Sequence, residues 1–198
     1  MAAGGDRPAG GVYESQEPIL FENVVSWRGT MAVELPDILD VDLSVVFCGL
    51  NPGLTAAATG HHFAGRSNRF WRVLHLAGFT PTQIAPEDDT SILSFGLGLT
   101  VVVERATATA AEVKREEFSA GGLVLCQKLE RYAPRNVAFL GKAAFAAISK
   151  NREISWGQQP TTFAGAPTWV LPNPSGLNRS FNLKALVQAY RELRSELD

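Results

Sequence analysis

Three short apolar runs decide what this chain can become. Leu43 to Cys48, Asn136 to Leu140 and Pro167 to Leu171 are rich in β-branched and aromatic residues, the pattern of strands covered on both faces. Such strands need helices above and below them, and helical spacing fills the intervals. Phe70, Val73, Leu74 and Ala77 fall at i, i+3, i+4 and i+7, with Ser67 placed to cap the start and Gly78 to close the end. Phe118, Leu125, Cys126 and Leu129 share one face of Lys114 to Tyr132, with Pro134 just beyond. Lys142 to Ser149 predicts a helix directly after the second run, and Leu183, Leu186, Val187, Tyr190, Leu193 and Leu197 form the stripe of a terminal one. The fold class this alternation predicts is α/β, a three-layer α/β/α sandwich around a short, mostly parallel central sheet.

The remaining segments are less regular. Met1 to Gly11 is Gly-, Ala- and Pro-rich without an apolar run, so residues 1–17 read as a disordered tail and 18–198 as one domain. Pro36 to Leu39 reads as one helical turn. Gly49 to Ser67 carries Gly53, Gly60 and Gly65, which predicts a loop without a regular element, and loops of this length are usually functional. One of Glu87, Asp88 and Asp89 is expected to cap a short helix at Ser91 to Phe95. Gly98 to Val103 reads as a connector or short strand, and Thr161 to Leu171 as a hairpin around Gly165-Ala166-Pro167.

At 198 residues and 45% hydrophobic content, the chain can bury one sizeable core. No stretch reaches membrane-spanning length, so no membrane partner is expected. Cys48 and Cys126 sit inside predicted elements and read as small buried hydrophobes, which fits a reducing cytoplasm. His61, His62 and His75, without paired-cysteine spacing, offer little from which to build a metal site. A net charge of −2 and a pI near 5.9 argue against wholesale attraction to a polyanion. Any attraction to nucleic acid must then be local, through Arg66, Arg69 and Arg72 or through Arg179 and Lys184, unless these simply form a solvated face.

Two motifs stand out against this background. GLNPG (Gly49 to Gly53) and NPSGL (Asn173 to Leu177) each follow a predicted core strand, and ligands in open α/β sheets collect beyond the carboxyl ends of parallel strands. Taken singly, each is explained by turn sterics. Taken together, GLNPGLTAAATGHHFAGRSNRFWRVLHLAGFTP, LGK (Leu140 to Lys142) and LPNPSGLNR (Leu171 to Arg179) resemble the mismatch-specific branch of the uracil-DNA glycosylases, which includes the thymine-DNA glycosylases. The likeness runs from about Val41 to Leu193 in the same order.

That resemblance implies an enzyme that cuts the bond between a pyrimidine and deoxyribose without metal or cofactor, acting on double-stranded DNA with a mispaired or damaged pyrimidine; a fold of this size with one recognition rim would work as a monomer. The nucleotide must leave the helix for its glycosidic bond to be reached. By the same resemblance Asn51 is the catalytic asparagine that orients water, Phe63 stacks on the base, and amides near Leu50 and Phe63 hold a pyrimidine carbonyl. Ala56 faces the C5 edge, and Asn173 stands where uracil-specific relatives carry histidine. Gly176 and Leu177 match the wedge that fills the vacated space, while Ser175, near the start of the terminal helix, and Arg179 match phosphate or opposite-strand contacts. Asp88, Asp89 or Glu104 could assist as a carboxylate. Val101 occupies a position where some relatives carry lysine, which implies hydrolysis without a lyase step. A catalytically weak damage-binding protein is the alternative reading. A nucleotide-binding or esterase-like enzyme is disfavoured, since neither G-x-S-x-G nor G-x-x-x-x-G-K occurs.

Overall fold

The computed structural model describes Met1 and residues 35–197. The expected tail beyond Met1 and the domain boundary at residue 18 lie outside the described residues. Five strands, β1 (Val45–Gly49), β2 (Leu97–Val101), β3 (Val137–Leu140), β4 (Gly157–Phe163) and β5 (Ala166–Leu171), form one sheet in the order β2-β1-β3-β5-β4. All neighbours run parallel except β4, which is antiparallel to β5. The helices are α1 (Leu54–Thr59), α2 (Phe70–Ala77), α3 (Arg115–Tyr132), α4 (Lys142–Ile148) and α5 (Leu183–Ser195), with 3₁₀ turns at Pro86–Phe95 and Ala110–Glu112.

Strand alternation divides the core in two. Val45, Phe47, Leu97, Leu99, Ala138, Leu140, Trp169 and Leu171 face a layer containing Phe70, Val73, Leu74, Leu186, Tyr190 and Leu193. Val46, Cys48, Val137, Phe139 and Val170 face Phe118, Leu125, Leu129, Ala144 and Phe145. Each large apolar side chain so buried contributes about 1.5–3 kcal/mol. Phe47 lies at the centre of the first layer, edge-on to Phe70 at 5.5 Å and stacked on Tyr190 at 6.2 Å. The sandwich and its mostly parallel sheet are therefore as the apolar runs predict.

Topology places the site. From β1 the chain moves outward to β2, then crosses back past β1 to β3. Right-handed crossovers in opposite directions put their helices on opposite faces, α2 with Phe47 and α3 with Cys48. The direction reverses between β1 and β3, which opens a crevice beyond their carboxyl ends. β1 delivers Asn51 to that rim, and β5 delivers Asn173 one strand farther along.

Several local expectations are corrected. The Gly49 to Ser67 segment contains α1, closed by left-handed Gly60 (φ 73°). The first residue of α2 is Phe70, whose amide donates to Asn68 Oδ1 at 3.0 Å, so Ser67 is not its cap. Pro36 to Leu39 is not a helical turn: Ile38 exchanges backbone hydrogen bonds of 2.9 and 2.8 Å with Leu99, covering the outer edge of β2. No acid caps the Pro86–Phe95 turn. The β4–β5 hairpin turns at Ala164-Gly165, with φ of 52° and 80°, the positive pair that matches strand twist in a two-residue turn. Ala166 and Pro167 belong to β5. Cys126 is only half-buried, whereas burial pushes the Cys48 thiol pKa far up and leaves it inert.

Candidate active site

The first corner is sewn to the chain that leaves β2. Val102, Val103 and Thr107 donate backbone N–H groups to Gly49, Leu50 and Pro52 at 2.9, 3.0 and 3.1 Å. Within that frame Asn51 Nδ2 donates to Thr107 Oγ1 at 2.7 Å, Arg105 O at 3.0 Å and Pro52 O at 3.2 Å. The orientation of the amide follows from Thr107. Its single hydroxyl hydrogen is donated to Thr109 O at 2.7 Å, so its oxygen must accept from Asn51, and a nitrogen must face it. Asn51 Oδ1 is left without a protein partner among the described residues. Arg105 is in turn tethered, Nε to Glu117 Oε1 at 2.9 Å and Nη2 to Glu117 Oε2 and Glu112 O at 3.1 Å each. The Arg105 guanidinium holds the Glu117 carboxyl at about 2, well below the usual range. Thr107→Val keeps the volume and removes both hydrogen bonds. Single-turnover rates are expected to fall about 10- to 100-fold through misorientation of the amide, with duplex affinity unchanged; an unaltered rate would show that the relay is idle.

The second corner is held by its own polar groups and by one arginine. Asn173 Oδ1 accepts from Ser175 N at 2.9 Å, Asn173 O accepts from Asn178 Nδ2 at 2.9 Å, and Ser175 Oγ accepts from Leu177 N at 3.3 Å. Arg69 donates to Pro174 O at 3.2 Å, Phe181 O at 2.7 Å, Ser175 O at 2.8 Å and Asn178 O at 3.0 Å. This corrects its place in the basic cluster, because its donors are spent on the loop. Gly176 fits closely as well, since a Cβ there would lie 2.4 Å from Ser67 Cβ. Ser175 does not begin a helix: α5 starts at Leu183, capped by Asn182, whose Oδ1 accepts from Ala185 N at 2.9 Å.

Between the corners lies a cavity of about 370 Å³. Leu50, Asn51, Ala56 and Phe63 line one side, Asn173, Ser175, Gly176 and Leu177 the other, and Leu140 lies between. Leu177 is 67% exposed at the mouth, while Ala56 is buried. Phe63, with a left-handed backbone (φ 56°), stacks one face on Phe70 at 3.9 Å. Its N–H has no acceptor among the described residues. Arg179 is exposed and lies outside the cavity lining.

Among the described residues no carboxylate lines the cavity. Asp88 is exposed, Asp89 is buried with Oδ2 accepting from His62 N at 2.8 Å, and Glu104 points to Lys128 at 4.0 Å. None of the three lines the cavity. Among the described residues no group of three or more His, Cys, Asp or Glu could hold a metal ion, and no helix is long and apolar enough to cross a membrane.

His62 also lines the cavity; its ring Nε2 meets Pro36 O at 2.9 Å and its carbonyl accepts from Trp71 Nε1 at 3.0 Å. Burial lowers its pKa below the ordinary 6.5, against opposing contributions from Pro36 O and Asp89. The unfolded chain therefore binds a proton near that pH that the folded chain refuses. Stability from the neutral ring is complete above pH 6.5 and is lost as pH falls below it. The drop in Tm between about pH 7.5 and about pH 5.5 is expected to shrink in His62→Gln; an equal drop in both proteins would contradict this.

Thr107, Arg105 and the clamp role of Arg69 had no sequence signal beyond a Thr- and Ala-rich loop after β2, because each acts through contacts remote in sequence.

A family model described as the uracil DNA glycosylase superfamily matches residues 36–194. Among solved structures, the fold is similar to a Methanosarcina acetivorans protein named as a candidate uracil DNA glycosylase and determined by solution NMR. The two share 23% identity and a TM-score of 0.55, over 82% of this chain and 98% of that one.

Proposed function

The chain belongs to the uracil DNA glycosylase superfamily, and from that premise we propose that it is a monofunctional, mismatch-directed glycosylase. It releases uracil, and also thymine or etheno-cytosine, paired with guanine, and leaves an abasic site. One observation carries the reading: both asparagine corners line a single cavity with an exposed leucine at its mouth. An everted pyrimidine enters between Phe63 and the Asn51 turn while Leu177 occupies the gap it leaves.

The chemistry follows from what lines the cavity. Asn51 Oδ1 accepts a hydrogen from water and aims a lone pair at C1′. An amide does not take a proton at neutral pH, and among the described residues no carboxylate lines the cavity to do so. Bond cleavage therefore runs ahead of attack. The electron pair of the C1′–N bond leaves with the base, the unpaired Phe63 N–H stabilises the negative charge on the pyrimidine, and water bonds to C1′ and gives its proton to solvent, from which the pyrimidine anion takes one up to leave as the neutral base. Turnover is slow, and good leaving groups are favoured. Val101, buried in the cavity wall, offers no amine for a Schiff base, so strand cleavage does not accompany release. Ala56 leaves space at the C5 edge for a methyl group or an etheno bridge. The enzyme works as a monomer in a reducing cytoplasm.

The test is direct. Purified protein is incubated with duplexes holding one uracil, thymine or etheno-cytosine opposite guanine, and free base is measured by chromatography. Release from all three is expected. Release of uracil alone would remove the wider specificity; binding without release from any duplex would favour a damage-binding protein.

A further inference from the structure

Residues 60–69 form no regular element between α1 and α2, so no helix or strand ladder fixes the peptide planes that carry Phe63. Phe63 also takes a left-handed backbone, φ 56°, which a residue with a Cβ keeps only where its surroundings hold it. Two contacts from other elements do so. Asp89, in the Pro86–Phe95 turn, accepts from His62 N through Oδ2 at 2.8 Å. Trp71, in the first turn of α2, donates its Nε1 hydrogen to His62 O at 3.0 Å.

The Trp71 contact sets a direction. The His62–Phe63 peptide is trans, and in a planar trans peptide the carbonyl and the following N–H point opposite ways. Holding His62 O against the indole therefore also fixes where the Phe63 N–H points. Asp89 holds the peptide before it, so the plane cannot swing about His62. The carboxylate has no other evident task. It is 3% exposed, and a charge out of water is unfavourable unless its oxygens are paired. It does not cap its own turn. Its contacts among the described residues are His62 N and, through Oδ1, His61 Nδ1 at 3.5 Å, on the two residues just before Phe63.

We propose that Asp89 and Trp71 are positioning residues, which hold the His62–Phe63 peptide so that the Phe63 N–H meets the departing pyrimidine. This rests on the function proposed above, in which that N–H shares the negative charge of the leaving base. Neither side chain touches the substrate, and the effect of each passes through one backbone donor.

Leaving-group dependence reads that donor. Single-turnover release is measured from duplexes carrying uracil or 5-fluorouracil opposite guanine. Fluorine withdraws electrons, so 5-fluorouracil carries its own charge better and leans less on the N–H. Asp89→Ala is expected to slow uracil release about 10- to 100-fold, within the range for loss of one fixed donor, and 5-fluorouracil release by at least threefold less. Asp89→Asn retains an oxygen for His62 N and should release uracil within about threefold of wild type. Trp71→Phe keeps a buried ring without the N–H and should show the same unequal loss as the alanine variant. Melting curves check folding, and duplex affinity by anisotropy should stay within about twofold throughout. If Asp89→Ala does not fold, Trp71→Phe carries the test. Both bases slowed equally, no slowing in either variant, or Asp89→Asn as slow as Asp89→Ala overturns the proposal, provided that the wild type releases uracil. A wild type that releases neither base overturns it together with the functional reading.

Discussion

Asn51→Ala is expected to lower single-turnover uracil release by about 10³-fold or more, equivalent to about 4 kcal/mol of transition-state stabilisation, while duplex affinity stays within about twofold. In the proposed function the amide holds the attacking water, and its Oδ1 has no other hydrogen-bond partner among the described residues. Its nitrogen is committed to Thr107, Arg105 and Pro52, so alanine removes a fixed acceptor and leaves the cavity shape intact. Asn51→Asp separates this account from one in which any acceptor serves. A carboxylate there would place an oxygen against the Arg105 and Pro52 carbonyls, now 3.0 and 3.2 Å from a donor. That repulsion would turn or displace the side chain, so the aspartate variant is expected to be slower than wild type. Rapid-quench measurement of base release gives both numbers, and an alanine variant within tenfold of wild type would remove Asn51 from the reaction.

Arg69→Met is expected to cost about 3 kcal/mol of stability, or roughly 6–12 °C in Tm, and to abolish productive binding of lesion duplex. Four carbonyls of the Pro174 to Phe181 segment lose their donor at once. Methionine retains much of the stem but supplies no N–H, and those carbonyls can turn to water only if the loop moves. Movement there displaces Leu177 from the cavity mouth. Arg69→Lys, one point charge in place of a planar fork, should recover part of the Tm and little of the binding. Calorimetry and anisotropy together check this; a variant that melts with wild type would show that the loop holds itself.

What could be read from the sequence was what depends on neighbours in the chain. Apolar runs such as Val45 to Cys48 announce strands because both faces are covered, and the Phe70 stripe announces α2 because one face is. The two asparagine turns could be placed at one rim because parallel strands share an end. What escaped was long-range. β2 read as either a connector or a short strand, a choice that only its pairing with β1 decides, and Ile38 shows bridge character only beside Leu99. Arg69 looked like a free cation, since nothing in its surroundings in sequence reveals four carbonyls more than 100 residues away. Thr107 was invisible for the same reason. Asp89 read as a helix cap or one of three acids that could assist, and its bond to the His62 amide, 27 residues away, had no sequence signal.

The central claim is that one cavity, bounded by both asparagine corners, receives an everted pyrimidine. A crystal structure of Asn51→Ala with a duplex carrying a single guanine-paired uracil would test it most directly. The account predicts the uracil ring against Phe63, between the Asn51 and Asn173 turns, with Leu177 in the duplex gap. A uracil still stacked in its helix, or a duplex seated elsewhere on the molecule, would contradict it.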